Sequence, residues 1–144
     1  MKILFSHRVS GSPEKVYKAL TDPEILKGCI EGCESLVPRD EYLYDVKLRV
    51  GGAGMKGTVR ILSSLSTESL TLEIAGKGLP GSIKAVVPIK LVGIGAETEV
   101  SGESEVTVGG FAAALGSKLL ESGAKSMIQD FFTKLSGQLT SSAT

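Results

Sequence analysis

A change of hydrophobic period, from every second residue to helical spacing, is the feature that most constrains this chain. Between Tyr42 and Val108, apolar side chains alternate with polar ones in five successive runs. Tyr42, Tyr44, Val46, Leu48 and Val50 alternate with Leu43, Asp45, Lys47 and Arg49, and Val59 and Ile61 oppose Lys56 and Arg60. Leu70, Leu72 and Ile74 share one face, as do Ile83, Ala85, Val87, Ile89 and Leu91. In the last run Val100, Val106 and Val108 oppose Glu97, Glu99, Glu103 and Glu105, which read as a solvated face. Such alternation marks strands with one wet face. Short turns between the runs make neighbours antiparallel. With Lys2–Val9 and a run near Ser35–Arg39, the pattern predicts an antiparallel sheet of about seven strands.

Helical signals flank this block. Ser12-Pro13 is a cap residue followed by proline at the first helical position, predicting a short helix to about Leu20. Asp22-Pro23-Glu24 repeats the signal with an acidic first turn that suits the helix dipole. From about Gly110 to Leu139, Leu120, Ala124, Met127, Ile128, Phe131 and Leu135 recur at helical spacing, so this stripe is predicted to face the sheet. Thr140–Thr144 is small and polar and is expected to fray. The expected class is α+β, with residues 1–139 as one domain.

Several inward positions of the sheet carry little bulk: Gly57, Gly76, Gly78, Ala85, Gly102 and Ser104. They either leave room above the sheet or mark bends in it, and the two explanations are compatible. Pro88 cannot donate to a ladder and predicts an edge position or an interruption. Gly76-Lys77-Gly78-Leu79-Pro80-Gly81 reads as a mobile turn, without the Lys-Ser ending or strand-to-helix context of a phosphate loop.

Composition narrows the function. The 144 residues, 42% of them apolar, suffice for one domain with a sizeable core. Sixteen basic and sixteen acidic side chains cancel, so no net field draws the chain to nucleic acid or an anionic membrane. No secretion signal or bilayer-length apolar run is evident, so a cytoplasmic location is expected. Cys29 and Cys33 cannot complete a zinc site with the distant His7, the only histidine, and are expected to be packed thiols. No serine stands in a nucleophile elbow. His7 alternates with Phe5 and Val9 on an inward face, as a satisfied histidine or as a hydrogen-bonding partner of a ligand.

Asp22-Pro-Glu-Ile-Leu-Lys-Gly-Cys-Ile-Glu-Gly-Cys-Glu-Ser-Leu36 is hard to explain as generic helix and turn. With Val108-Gly-Gly-Phe-Ala-Ala-Ala-Leu-Gly-Ser-Lys-Leu119 and Asp130-Phe-Phe-Thr-Lys-Leu135, it resembles the CoxG family, that of the carbon monoxide dehydrogenase G protein, within the START-like, SRPBCC helix-grip superfamily. Family sequences carry Ile-Pro-Gly between the cysteines, where this chain has Ile30-Glu31-Gly32, and they tend to be apolar at the position of His7. The resemblance implies a curved sheet around a long C-terminal helix, two short helices after the first strand, and a hydrophobic cavity between sheet and helix. Its expected lining is His7, Tyr44, Val46, Leu48, Val59, Ile74, Leu115, Leu119, Leu120 and Met127, with Phe111, Leu115 and Leu119 near the mouth. Tyr44 is expected to orient a polar ligand head with its hydroxyl.

The implied function is non-catalytic binding of a lipid- or quinone-like molecule without a cofactor. The implied partner is a molybdenum hydroxylase-type enzyme resembling carbon monoxide dehydrogenase, with peripheral membrane contact left open. A polyketide cyclase-like enzyme using Tyr44 or His7, and a protein-interaction module with a filled core, remain as alternatives.

Overall fold

The computed structural model describes residues 1–50, 52–78, 81–110 and 116–142. Strand β1 (Lys2–Ser10) leads into α1 (Pro13–Leu20) and α2 (Pro23–Cys29). Six strands follow: β2 (Cys33–Asp40), β3 (Leu43–Val50), β4 (Ala53–Leu65), β5 (Ser69–Gly78), β6 (Gly81–Ile94) and β7 (Glu97–Gly109). The chain ends in α3 (Ser117–Ser142). The strands form one antiparallel sheet in the order β1-β7-β6-β5-β4-β3-β2. The two short helices thus carry the chain from one sheet edge to the other, and successive hairpins bring it back to pair β7 with β1. This is the helix-grip arrangement that the resemblance implies.

Local chemistry explains the boundaries. Ser12 Oγ accepts from the Lys15 N–H at 3.3 Å, and Asp22 Oδ1 accepts from the Glu24 N–H at 3.0 Å. Each cap satisfies an orphan donor and is worth about 1 kcal/mol. Gly110 and Gly116 have φ of 75° and 90°, in the left-handed region, so α3 starts after both and not at Gly110. At its other end α3 runs past Leu139, where the Thr140 hydroxyl donates to the Ser136 carbonyl at 2.9 Å.

The structure corrects the sequence reading of the sheet at two places. Tyr42 is exposed while Leu43 is buried, the reverse of the predicted alternation. Tyr42 precedes the strand: its N–H donates to Asp40 Oδ1 and its carbonyl accepts from the Ile61 N–H, so inward spacing starts at Tyr44. Gly76 and Gly78 lie inside β5, paired with Gly57 and Met55, and not in a turn. Pro88 lies on an interior strand. The β6–β7 ladder holds at Val86–Glu105 and Lys90–Ser101 and is interrupted between them, as expected for a residue without an N–H.

The small inward residues serve both of the roles left open by the sequence. A side chain at Gly57 would stand on the Ala75 carbonyl oxygen, one at Gly102 on the Pro88 carbonyl oxygen, and one at Gly78 2.6 Å from the Gly54 oxygen. These three permit close backbone approach and hence curvature. Gly76 differs, because a Cβ there would meet only Ile83 Cγ2 at 3.4 Å, Lys56 O at 3.8 Å and Met55 Cε at 3.9 Å. Its absence leaves room.

The main core joins the sheet to all three helices. Phe5, Val100 and Leu91 meet Val16 and Leu20 of α1, Leu26 of α2, and Phe132, Leu135 and Leu139 of α3. A smaller cluster of Ile3, Ala85 and Val106 carries Ala124 and Ile128 of α3. Cys29 is buried, Cys33 partly so, and both are free thiols. Burial pushes Cys29 up to about 11 against the weaker pull of Lys134, and burial likewise raises Cys33.

This packing sets the expected response to substitution and to pH. Gly57→Ala should lose about 2 kcal/mol in urea unfolding because backbone blocks the new methyl, whereas Gly76→Ala should stay within about 0.5 kcal/mol of the parent. A folded-state thiol held above its unfolded value stabilises fully below about 9, and that contribution is lost as pH rises toward about 11. The stability difference between the parent and Cys29→Ala should therefore shift against the parent across that window. At pH near 8, native Cys29 should resist iodoacetamide that labels both thiols in urea.

Candidate functional site

Cross-strand register builds the concave face in rows. Tyr44, Val59, Ile74, Ala85 and Val106 stand side by side across β3 to β7. The next row toward the β3–β4 turn is Val46, Gly57, Gly76, Ile83 and Val108, and beyond it Leu48, Met55 and Gly78. Tyr44, Val46, Val59, Ala85 and Val106 are buried. Leu48, Met55, Gly76, Ile83, Val108 and, on the central strand, Ile74 are only partly buried. Solvent therefore reaches the middle of the inner face. Met55 reaches over Gly76 and Gly78, so a flexible thioether occupies part of the space that the glycines leave.

Helix α3 grips this face unequally. It packs mainly on β1 and α2. Phe132, Leu135 and Leu139 are buried, whereas Leu120, Ala124 and Ile128 are partly exposed and Leu119 and Met127 are 64% and 55% exposed. The sheet-facing stripe is thus Leu120, Ala124, Ile128, Phe132, Leu135 and Leu139. Met127, predicted within it, lies to one side, because the stripe advances by four residues from Ala124 to Ile128. Phe131 is likewise displaced by Phe132, which stacks on Phe5 with ring centroids 5.7 Å apart and on His7 at 5.4 Å.

The polar groups of the inner face differ in what they have left to offer. Tyr44 donates its hydroxyl to the Thr21 carbonyl at 3.3 Å, so the head-orienting role predicted for it is taken by backbone. Burial, followed by the Asp22 carboxylate, raises its pKa. Thr98 is fully buried and donates to the Gly11 carbonyl at 2.8 Å. His7 presents a ring face to Phe132. Ser104 on β7 is 1% exposed and its Oγ has no hydrogen-bond partner.

The outer face is charge-segregated even though the total charge cancels. Lys47, Lys56 and Lys77 stand directly opposite one another on β3, β4 and β5, with Lys84 one row away on β6. Among the described residues none of the four makes an ion pair. The acidic set lies across the sheet on β7, where Glu97, Glu103 and Glu105 approach Arg8, Lys2 and the N-terminal amine at 3.9 Å.

Of the predicted lining residues, Tyr44, Val46, Leu48, Val59 and Ile74 come together on the inner face, with Leu120 on the gripping stripe of α3. His7 sits farther along β1 beside Phe132. Leu119 and Met127 point away from the stripe, and Leu115, like Phe111, lies outside the described residues. Met55, Ile83, Val87, Val108 and Ser104 were missed as site residues. The alternation that marked their strands carried the signal for all five.

The chain matches the model of the CoxG family, named for the G component of carbon monoxide dehydrogenase, over residues 6–140. A conserved protein from Geobacillus kaustophilus superposes with a TM-score of 0.94 at 30% identity, covering 99% of this chain and 97% of that one. A START superfamily protein from Mycobacterium smegmatis gives 0.78 at 11% identity, with 97% of each chain covered. Ara h 8.0201 gives 0.71 at 16% identity over 98% of this chain and 99% of that one. No curated protein matches the chain. The likenesses at low identity establish the START-like fold, and the family model, spanning nearly the whole sequence, establishes that this chain belongs to the CoxG family.

Proposed function

We propose that the protein binds a hydrophobic small molecule, lipid- or quinone-like, between the sheet and the N-terminal half of α3. The observation that carries this reading is Ile74: an isoleucine at mid-length on the central strand, facing inward, yet not buried. In a filled core that position would be the most covered of all. Leu48, Ile83 and Val108 extend the same uncovered apolar floor, which is the character of a ligand site. A filled-core interaction module does not account for it. Tyr44, the better-placed acid of a cyclase-like mechanism, already donates to backbone, so carrying explains the site with fewer demands than catalysis.

The family name ties CoxG proteins to carbon monoxide dehydrogenase, and we infer an accessory role toward such a molybdoenzyme. Peripheral membrane contact fits the Lys47–Lys56–Lys77 row. The row lies at the end of the sheet where the floor is least covered, so an anionic bilayer would meet the protein next to the ligand space. Among the described residues no helix is long and apolar enough to cross a membrane.

Native mass spectrometry of protein purified without detergent should show an apolar molecule released on unfolding; an apo mass that stays unchanged after lipid addition would refute the carrier reading. Gly76→Leu, which fills the vacant floor, should weaken binding of a neutral apolar dye by about tenfold or more. Lys56→Glu with Lys77→Glu should abolish low-salt cosedimentation with phosphatidylglycerol vesicles, each lysine near such a surface being worth about 1 kcal/mol. Binding to phosphatidylcholine vesicles of equal strength would sink the membrane assignment.

A further inference from the structure

Ser104 is the buried polar side chain that the fold leaves unsatisfied among the described residues. It faces inward on β7, opposite Ile3 on β1, and its neighbours on the same face of the strand are Gly102 and Val106. On its other side lies the stretch of β6 around Val87 where the ladder to β7 is interrupted. Ala124 and Ile128 of α3 pack onto the Ile3–Ala85–Val106 cluster beside it. A buried hydroxyl without a partner is destabilising, and alanine would carry no such cost in these apolar surroundings. Thr98 on the same strand shows the contrast, since its hydroxyl is spent on the Gly11 carbonyl.

We propose, resting on the carrier reading, that Ser104 is the polar anchor of the bound molecule and that it selects an uncharged oxygen function. The hydroxyl both donates and accepts, so a ketone, ester or alcohol oxygen completes it. An ionised head does not fit. The inward positions of the described strands near Ser104 carry no Lys, Arg, Asp or Glu, and an unpaired charge taken into such surroundings is far costlier than a neutral dipole. The molecule's apolar remainder then runs from Ser104 past Val106 toward Val108, about 13 Å along the strand, over the partly exposed Ile74 and Ile83. Its route to Ser104 lies under Ala124 and Ile128, in the stretch of α3 that buries least. The ligand class is therefore a neutral, single-headed amphiphile entering oxygen first.

Displacement of N-phenylnaphthylamine, a neutral dye without oxygen, tests this with decane, decanol, decanone and decanoate on the parent and on Ser104→Ala. Decanol and decanone should compete about tenfold better than decane and decanoate on the parent, and Ser104→Ala should erase that advantage. The ligand-free variant should melt no lower than the parent, since it removes an unsatisfied group. An oxygen preference that survives in Ser104→Ala, decanoate as the best competitor, or a lowered melting temperature of the ligand-free variant would each overturn the anchor. Should the parent fail to bind the dye and every competitor, the carrier reading itself fails, and the anchor falls with it.

Discussion

Three carbonyl oxygens, those of Ala75, Gly54 and Pro88, occupy or crowd the places where side chains of Gly57, Gly78 and Gly102 would stand. This close approach of backbone to backbone is what the rest of the structure depends on. A flatter sheet would offer α3 a plane to lie on, and a helix on a plane buries its stripe evenly. Bent around the glycines, the sheet becomes a trough whose wall at β1 meets the helix while its floor at β5 stays clear. The Pro88 interruption belongs to the same device, since releasing the β6–β7 ladder for a few residues allows the local bend.

The grip is strong at one end of α3 and weak at the other. Phe132, Leu135 and Leu139, each worth about 1.5–3 kcal/mol on burial, fasten the C-terminal half between β1 and the two short helices. Toward the N-terminal half the same stripe offers Leu120, a small Ala124 and a partly exposed Ile128. Gly123, whose added Cβ would meet nothing within 4 Å, lowers helix propensity by about 1 kcal/mol relative to alanine without improving any packing contact. Stability graded in this way lets one half of an element open while the other remains docked. A carrier needs such a gradient, because its ligand must enter without the fold being lost.

Legibility in the sequence followed the range of the interaction concerned. Caps and proline positions are local, and Ser12-Pro13 and Asp22-Pro23 placed the two short helices at their observed starts. Strand alternation is nearly local, and it located every strand to within a few residues. What failed depended on partners distant in sequence. Met127 and Ile128, or Phe131 and Phe132, fit a helical stripe almost equally well from spacing alone. The choice is made by the sheet, where Phe5 and His7 on β1 present rings to Phe132. Leu43 displaced Tyr42 because the Asp40 carboxylate holds the turn in place. Tyr44 was correctly placed on the inner face, but its hydroxyl met Thr21, a partner that no spacing rule reveals.

Charge shows the same separation between sum and arrangement. Equal numbers of acidic and basic residues implied no attraction to an anionic surface, and that conclusion holds only for charges mixed evenly over the molecule. Antiparallel register instead stacks Lys47, Lys56 and Lys77 in one line, while β7 collects four glutamates whose neighbours on β1 include Lys2 and Arg8. The acidic line is thus partly compensated within the sheet, and the basic line is not. Like charges directly across strands are destabilising, and at outward positions any polar residue would meet the needs of folding. The fold therefore gives no reason for the lysines, whereas an anionic partner surface at the uncovered end of the trough does. Screening limits such attraction to about 8–10 Å at ordinary ionic strength, so the row acts only once that end of the molecule faces its partner. Orientation and access are then linked: the approach that satisfies the lysines is the one that brings the ligand space toward its source.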